Sequence, residues 1–285
     1  MRGTAVILLT TAFMLSGCAS SRPTTERSTY IVTLHPYVGK LRYVEATSPP
    51  GARLLFDTAG GLTLLSPAIA QSAHCIPYKR LTAFRMAGTR FDVDGCGPAQ
   101  VAFGSLAVQP ESAVFDLMSV LPAGLPQLDG LISLQTFLGS VVTIDLARER
   151  LEIADAPDNQ AVASMSSLPV RLSGSFAGSG VDVFVRIHGS RGPLWFELDS
   201  GNLDSVLISN RLLDQFDFSP AQVQSLQQGT PTRVLLQLDG LGKVIVSARG
   251  ADIIYDGVLN ADLLERMTVV LDLGHGSAWA KLHSK

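Results

Sequence analysis

Two acidic turns in this 285-residue chain carry the residue types of acid–base chemistry. One lies in "RLLFDTAGG", Arg53 to Gly61, and the other in "LWFELDSGN", Leu194 to Asn202. In each, an apolar run ends on an aspartate, Asp57 or Asp199. A hydroxyl residue follows, Thr58 or Ser200, and then a small one, Ala59 or Gly201. Two carboxyl groups brought to near contact cannot both ionise freely, so one proton stays between them. The ionised member can then draw a proton from water while its protonated neighbour hydrogen-bonds a carbonyl oxygen. Either Asp alone would pass for an ordinary strand-end turn residue.

The elements around the two turns repeat. "DGLISLQTFLGSVVTIDL" spans 129–146 and "DGVLNADLLERMTVVLDL" spans 256–273, and in both blocks 16 positions separate the first Asp from the Asp of the closing Asp-Leu. Each gives Asp-Gly, two apolar residues, a small polar residue, a short helical pattern and a strand. The stretch after each acidic turn matches as well, "LTLLS" at 62–66 and "SVLIS" at 205–209. Repetition of paired blocks in one order points to gene duplication. Elsewhere, short runs rich in Val, Ile, Leu and Phe alternate with Gly, Pro, Asp and Ser, which predicts strands and turns. Short helical pieces are expected at 67–73, 134–138, 210–216, 220–227 and 261–266. Residues 155–167 lack apolar periodicity and read as a linker between the halves.

This arrangement resembles the bilobal aspartic proteases, in which each lobe supplies one Asp-Thr/Ser-Gly loop and, later, an apolar segment passing beneath it. The resemblance covers residues 30–285, and the "FDTAGGLTLLSP" wording is similar to retropepsin-like halves. It implies a mainly β fold of two homologous β-barrel-like lobes of the acid-protease type, with short helices and an interlobe cleft: an N-terminal lobe at 30–154 and a C-terminal lobe at 168–285. It also implies that Asp57 and Asp199 form a dyad sharing a water. Thr58 and Ser200 would hydrogen-bond across the lobe interface, with Ala59 and Gly201 supporting the dyad. Three residues depart from the pattern: Ala59, Ser133 and Asn260 stand where the family has Gly. Comparing Asp57 to Ser66 (9 positions) with Asp199 to Ser209 (10 positions) disfavours an insertion at Ala59. The Asn202 amide is expected to reach toward Asp199, and the dyad to work at milder pH than gastric pepsin.

Alternating apolar and polar residues on either side of Ala87 and Gly88 predict a hairpin. Its tip, Phe84 to Phe91, is the flap in the family comparison; Phe84 and Met86 either close over substrate or face the core. A second hairpin is expected around Asp239-Gly240. Cys75 and Cys96 flank the first hairpin, as a disulfide at its base or as two buried thiols.

The N-terminus reads as an export signal: Arg2, an apolar run too short for an ordinary membrane span, then small residues before Cys18. "LSGC" resembles the bacterial lipobox, making 1–17 a lipoprotein signal peptide, Cys18 the lipidated residue and 18–29 a tether. A plain secretory signal with a chance Cys is the alternative. Ala19 after the Cys favours the outer membrane, facing the periplasm.

Net charge is −3, from 22 basic and 25 acidic side chains, with no basic stripe for nucleic acid. His35, His74, His188, His275 and His283 show no metal-ligand spacing. Neither a G-x-S-x-G elbow nor a P-loop occurs. The expectation is a monomeric, cofactor-free, membrane-tethered endopeptidase acting on envelope or periplasmic polypeptides. The alternative is a protease-like lipoprotein that binds peptides without cutting them.

Overall fold

The computed structural model describes residues 28–283. The signal peptide, Cys18 and all but the end of the tether lie outside them. Among the described residues, the first strand, Thr29–Thr33, pairs antiparallel with Arg150–Ala154.

The two halves form the same knot of strands. In the first, Arg53–Phe56 runs parallel to Gly130–Ile132, which also pairs antiparallel with Thr63–Leu65; that strand in turn runs parallel to Glu111–Val114. In the second, Gly192–Leu198 is parallel to Gly257–Leu259, antiparallel in turn to Val206–Ser209, which is parallel to Gly242–Ala251. The repeated Asp-Gly holds this knot together. Asp129 and Asp256 each accept from a backbone N–H four residues before the acidic turn, at Arg53 and Trp195. Their own carbonyls accept from Ser66 and Ser209.

A six-stranded sheet underlies both halves, in the order Thr29–Thr33, Arg150–Ala154, Val141–Asp145, Met267–Asp272, Ser277–Leu282, Ser166–Ser167. Val141–Asp145 and Met267–Asp272 are the equivalent closing strands of the two repeats, paired antiparallel. Duplicated edges thereby cover one another instead of facing water.

The five expected helical pieces form, the longest being Pro220–Gln227, with Ser219 and Gln222 closing a capping box. The 155–167 segment is more ordered than its composition implies. Asp158 accepts from Gln160 and Ala161 and so starts a helix at Asn159–Ala163, and Ser166–Ser167 then pairs at the sheet edge. Ser133 and Asn260 have extended backbones (φ −106° and −116°), so nothing there requires Gly. Both expected hairpins form, Pro77–Phe84 with Arg90–Pro98 and Thr232–Leu238 with Gly242–Ala251. Cys75 and Cys96 are disulfide-bonded across the base of the first, with Cα atoms 5.2 Å apart.

Candidate active site

The strands Arg53–Phe56 and Gly192–Leu198 end side by side at the lobe interface, and each hands its Asp to a tight turn. The turns are locked to each other. The Thr58 N–H donates to Ser200 Oγ (3.0 Å), and the Ser200 N–H donates to Thr58 Oγ1 (2.9 Å). The Thr58 hydroxyl donates onward to the Leu198 carbonyl and the Ser200 hydroxyl to that of Phe56. Thr58 and Ser200 are both buried, so this two-fold lattice works where water cannot compete.

Within each turn the third residue's N–H reaches back to its own Asp, Ala59 to Asp57 Oδ1 (2.9 Å) and Gly201 to Asp199 Oδ1 (2.8 Å). Ala59 therefore holds the structural place of Gly201, and its backbone avoids positive φ. Asn202 departs from expectation. Its side-chain amide donates to the Ser205 carbonyl and its side-chain oxygen accepts from the Asp204 N–H, because it closes its own Asx turn. Asp199 receives the Asn202 backbone N–H instead.

The two carboxyls lie at the meeting of the locked turns, close enough for each to act on the other's ionisation. Burial raises Asp57, opposed by donors from Ala59, Asp199 and Gly201. Burial lifts Asp199 well above the ordinary range, and the charge of Asp57 lifts it further. Both shifts run the same way, so the pair holds on to one proton where two separate carboxylates would have lost both.

A cleft of about 820 Å³ opens over the pair. The flap crosses it, with the Met86 carbonyl accepting from the Ile254 N–H (2.9 Å) of the opposite lobe. Phe84 lines the cleft and is 56% exposed. Met86 also lines it while packing against buried Leu207, Ile253 and Val258.

Three ionisable residues of the cleft have no counterpart in the sequence expectations, Asp182, Glu197 and Tyr255. Burial, then the charge of Asp57, pushes Asp182 up to about 6, with the Ser175 hydroxyl pulling the other way. Burial first, then Asp199, Asp182 and Asp57, raises Glu197 well above its ordinary value. Tyr255 is likewise raised by burial and by these acids. The available signal was one acidic residue inside an otherwise apolar strand, in "GVDVFV" and "LWFEL". Among the described residues no group of three His, Cys, Asp or Glu side chains is placed to hold a metal.

By sequence, the chain matches no protein-family model and no curated protein. By structure, it is similar to basic 7S globulin from soybean (11% identity, 90% of this chain and 96% of that one, TM-score 0.58). It is also similar to conglutin gamma, a basic 7S globulin from lupine seeds (12%, 91% and 96%, 0.54), and to the aspartic proteinase of Irpex lacteus (14%, 90% and 98%, 0.53). The fold is that of the two-lobed aspartic proteinases, and it is shared by proteins named as globulins.

Proposed function

We propose that the chain is an aspartic-type endopeptidase. The observation that carries this is the pair of carboxyls at the cleft floor, buried Asp199 and partly buried Asp57, brought together by turns that reciprocal Thr58 and Ser200 hydrogen bonds lock. An extended peptide lies in the cleft under the flap, its backbone pairing as a strand would. Asp57 takes a proton from a water shared by the dyad as that water attacks the scissile carbonyl carbon. Asp199 donates its hydrogen bond to the carbonyl oxygen, and a tetrahedral diol forms. Proton return to the amide nitrogen then breaks the C–N bond, with no covalent enzyme intermediate.

In this proposal the enzyme is a monomer that needs no cofactor and does not engage nucleic acid. Lipid on Cys18 anchors it to the outer membrane facing the periplasm, where its substrates are envelope or periplasmic polypeptides. The globulin-named structures of the same fold favour one other reading, a cleft that holds peptides without cutting them.

The test is digestion of a diverse peptide mixture by the full-length chain in non-ionic detergent, read by mass spectrometry across pH 3 to 7, beside Asp199→Asn. Loss of cuts in the folded variant by at least about 100-fold is expected. Because both carboxyls are raised, the rate should peak above the ordinary Asp value of about 3.9. Cuts that persist in Asp199→Asn would overturn the proposal.

A further inference from the structure

The strands Val170–Ser175, Gly180–Gly189 and Gly192–Leu198 form an antiparallel meander whose two faces have opposite chemistry. Val181, Val183, Val185 and Ile187, with Leu194, Phe196 and Leu198, point into the core. The alternate positions, Ser173, Ser175, Asp182, Phe184 and Glu197, line the cleft, and Asp199 continues that row. Register fixes their neighbourhood. Glu197 stands opposite Phe184 where the pairing ends, and Asp182 lies two residues before Phe184 on the same cleft-lining face, its carboxyl beside Gly61. Glu197 lies two residues before Asp199 on the same face, about 7 Å away along the strand.

Glu197 is only 3% exposed, yet its carboxyl has neither a hydrogen-bond donor nor an ion-pair partner among the described residues. Its oxygens open onto the cleft, so this nearly buried carboxyl is left for water or a ligand to satisfy. Among the described residues lining the cleft, Arg85 on the exposed flap turn is the cationic one, and neither it nor exposed Arg171, whose guanidinium stands over the Phe184 ring at 5.4 Å, pairs with either acid.

We propose that Glu197 and Asp182 form a subsite for a basic side chain, so that the chain selects peptides with Arg or Lys at a position flanking the scissile bond. A guanidinium or ammonium brings the positive charge that neither carboxyl has beside it and the donors that Glu197 lacks, and its long apolar stem can lie along Phe184, which meets Tyr255 edge-on at 5.3 Å. An apolar side chain would cover Glu197 without supplying a donor. The assignment rests on the endopeptidase reading for its register, since the subsite is counted from the bond over the dyad.

The test uses paired decapeptides that differ at one flanking position, Arg against citrulline, which keeps the shape and removes the charge. Full-length wild type and Glu197→Gln are assayed for cleavage, and dissociation constants are measured with Asp199→Asn by fluorescence anisotropy. The expected result is at least a tenfold higher kcat/KM for the Arg peptide than for the citrulline peptide, the ratio falling to within about twofold in Glu197→Gln. Cuts indifferent to Arg and citrulline would overturn the subsite and leave the peptidase standing. If Asp199→Asn abolishes no cut, the peptidase reading fails and binding decides the subsite. Tighter binding of the Arg peptide, lost when Glu197→Gln is added, supports it; equal binding of the pair overturns it.

Discussion

A Cβ placed on Gly201 would lie 2.6 Å from both Cγ and Oδ2 of Asp57, closer than real Cβ contacts come. Its equivalent, Ala59, carries a Cβ without positive φ and with its N–H still bonded to Asp57. The two loops are therefore symmetric in hydrogen bonding but not in steric room. Gly201→Ala must push the Asp57 carboxylate off its position, and displacements of that order lower rates by about 100-fold. Ala59→Gly keeps this N–H and needs no change of backbone, and should change kcat/KM by less than about threefold, with a small loss of stability from the freer unfolded chain. Kinetics of the two variants side by side check this; a large gain in Ala59→Gly would show that the alanine impairs the site. The dyad loops were legible in the sequence because each is a contiguous string. Asp182 and Glu197 were not, because their shared cleft face exists only once the two strands pair in register.

The meander's first turn, Phe176–Gly178, places two consecutive non-glycine residues in the left-handed region, Phe176 at φ 47° and Ala177 at φ 55°. The reason lies across the cleft. Phe176 is buried in a cluster of N-terminal lobe residues that includes Leu62, Leu64 and Leu81, and its ring meets Phe91 edge-on at 6.0 Å. Packing of the aromatic thus holds an unfavourable backbone, and exposed Ala177 shares the strain with no packing in return. Ala177→Gly should accordingly stabilise the fold by about 0.5–1 kcal/mol after the entropy of the added glycine is subtracted. A rise in Tm of about 1–3 °C by calorimetry would agree; an unchanged or lower Tm would mean that the turn is unstrained. Helices with a clear start were readable, such as Ser66-Pro67 and Ser219-Pro220 with Gln222. Leu117–Val120, Asn159–Ala163 and Phe176–Gly178 were not, since pieces this short show no period and these three lie outside the repeated blocks that exposed Leu134–Phe137 and Ala261–Glu265.

The internal repeat predicted two matching lobes, but not that their closing strands would join in one sheet, because strand pairing between repeats leaves no mark in either repeat alone. That joining makes the interface a structural centre, with the grip of Thr58 and Ser200 above it and the largely buried Arg42 bridging to Glu265 of the other half. Into this centre are packed four acids whose folded forms favour the proton: Asp57, Asp182, Glu197 and Asp199. A carboxyl raised on folding binds more protons in the native than in the unfolded chain, so its contribution is complete below the unfolded value and disappears as pH climbs through the folded one. For Asp182, raised from 3.8 to about 6, that amounts to about 3 kcal/mol present near pH 4 and gone above pH 6. Glu197 and Asp199 act with the same sign. Asp92 and Asp204, lowered by hydrogen bonds that include arginine donors, act against them but lie near the surface, where such pairs contribute little. Unfolding free energy should consequently fall from pH 4.5 to pH 7. With the sheet shared, the loss should be global, so that urea midpoints from far-UV circular dichroism and from Trp195 and Trp279 fluorescence move together. Glu197→Gln should flatten the decline by removing one titrating group. Stability that rises steadily across this range would mean that the four acids are solvated and ionised in the folded chain, and the electrostatic basis of the dyad would fail with it.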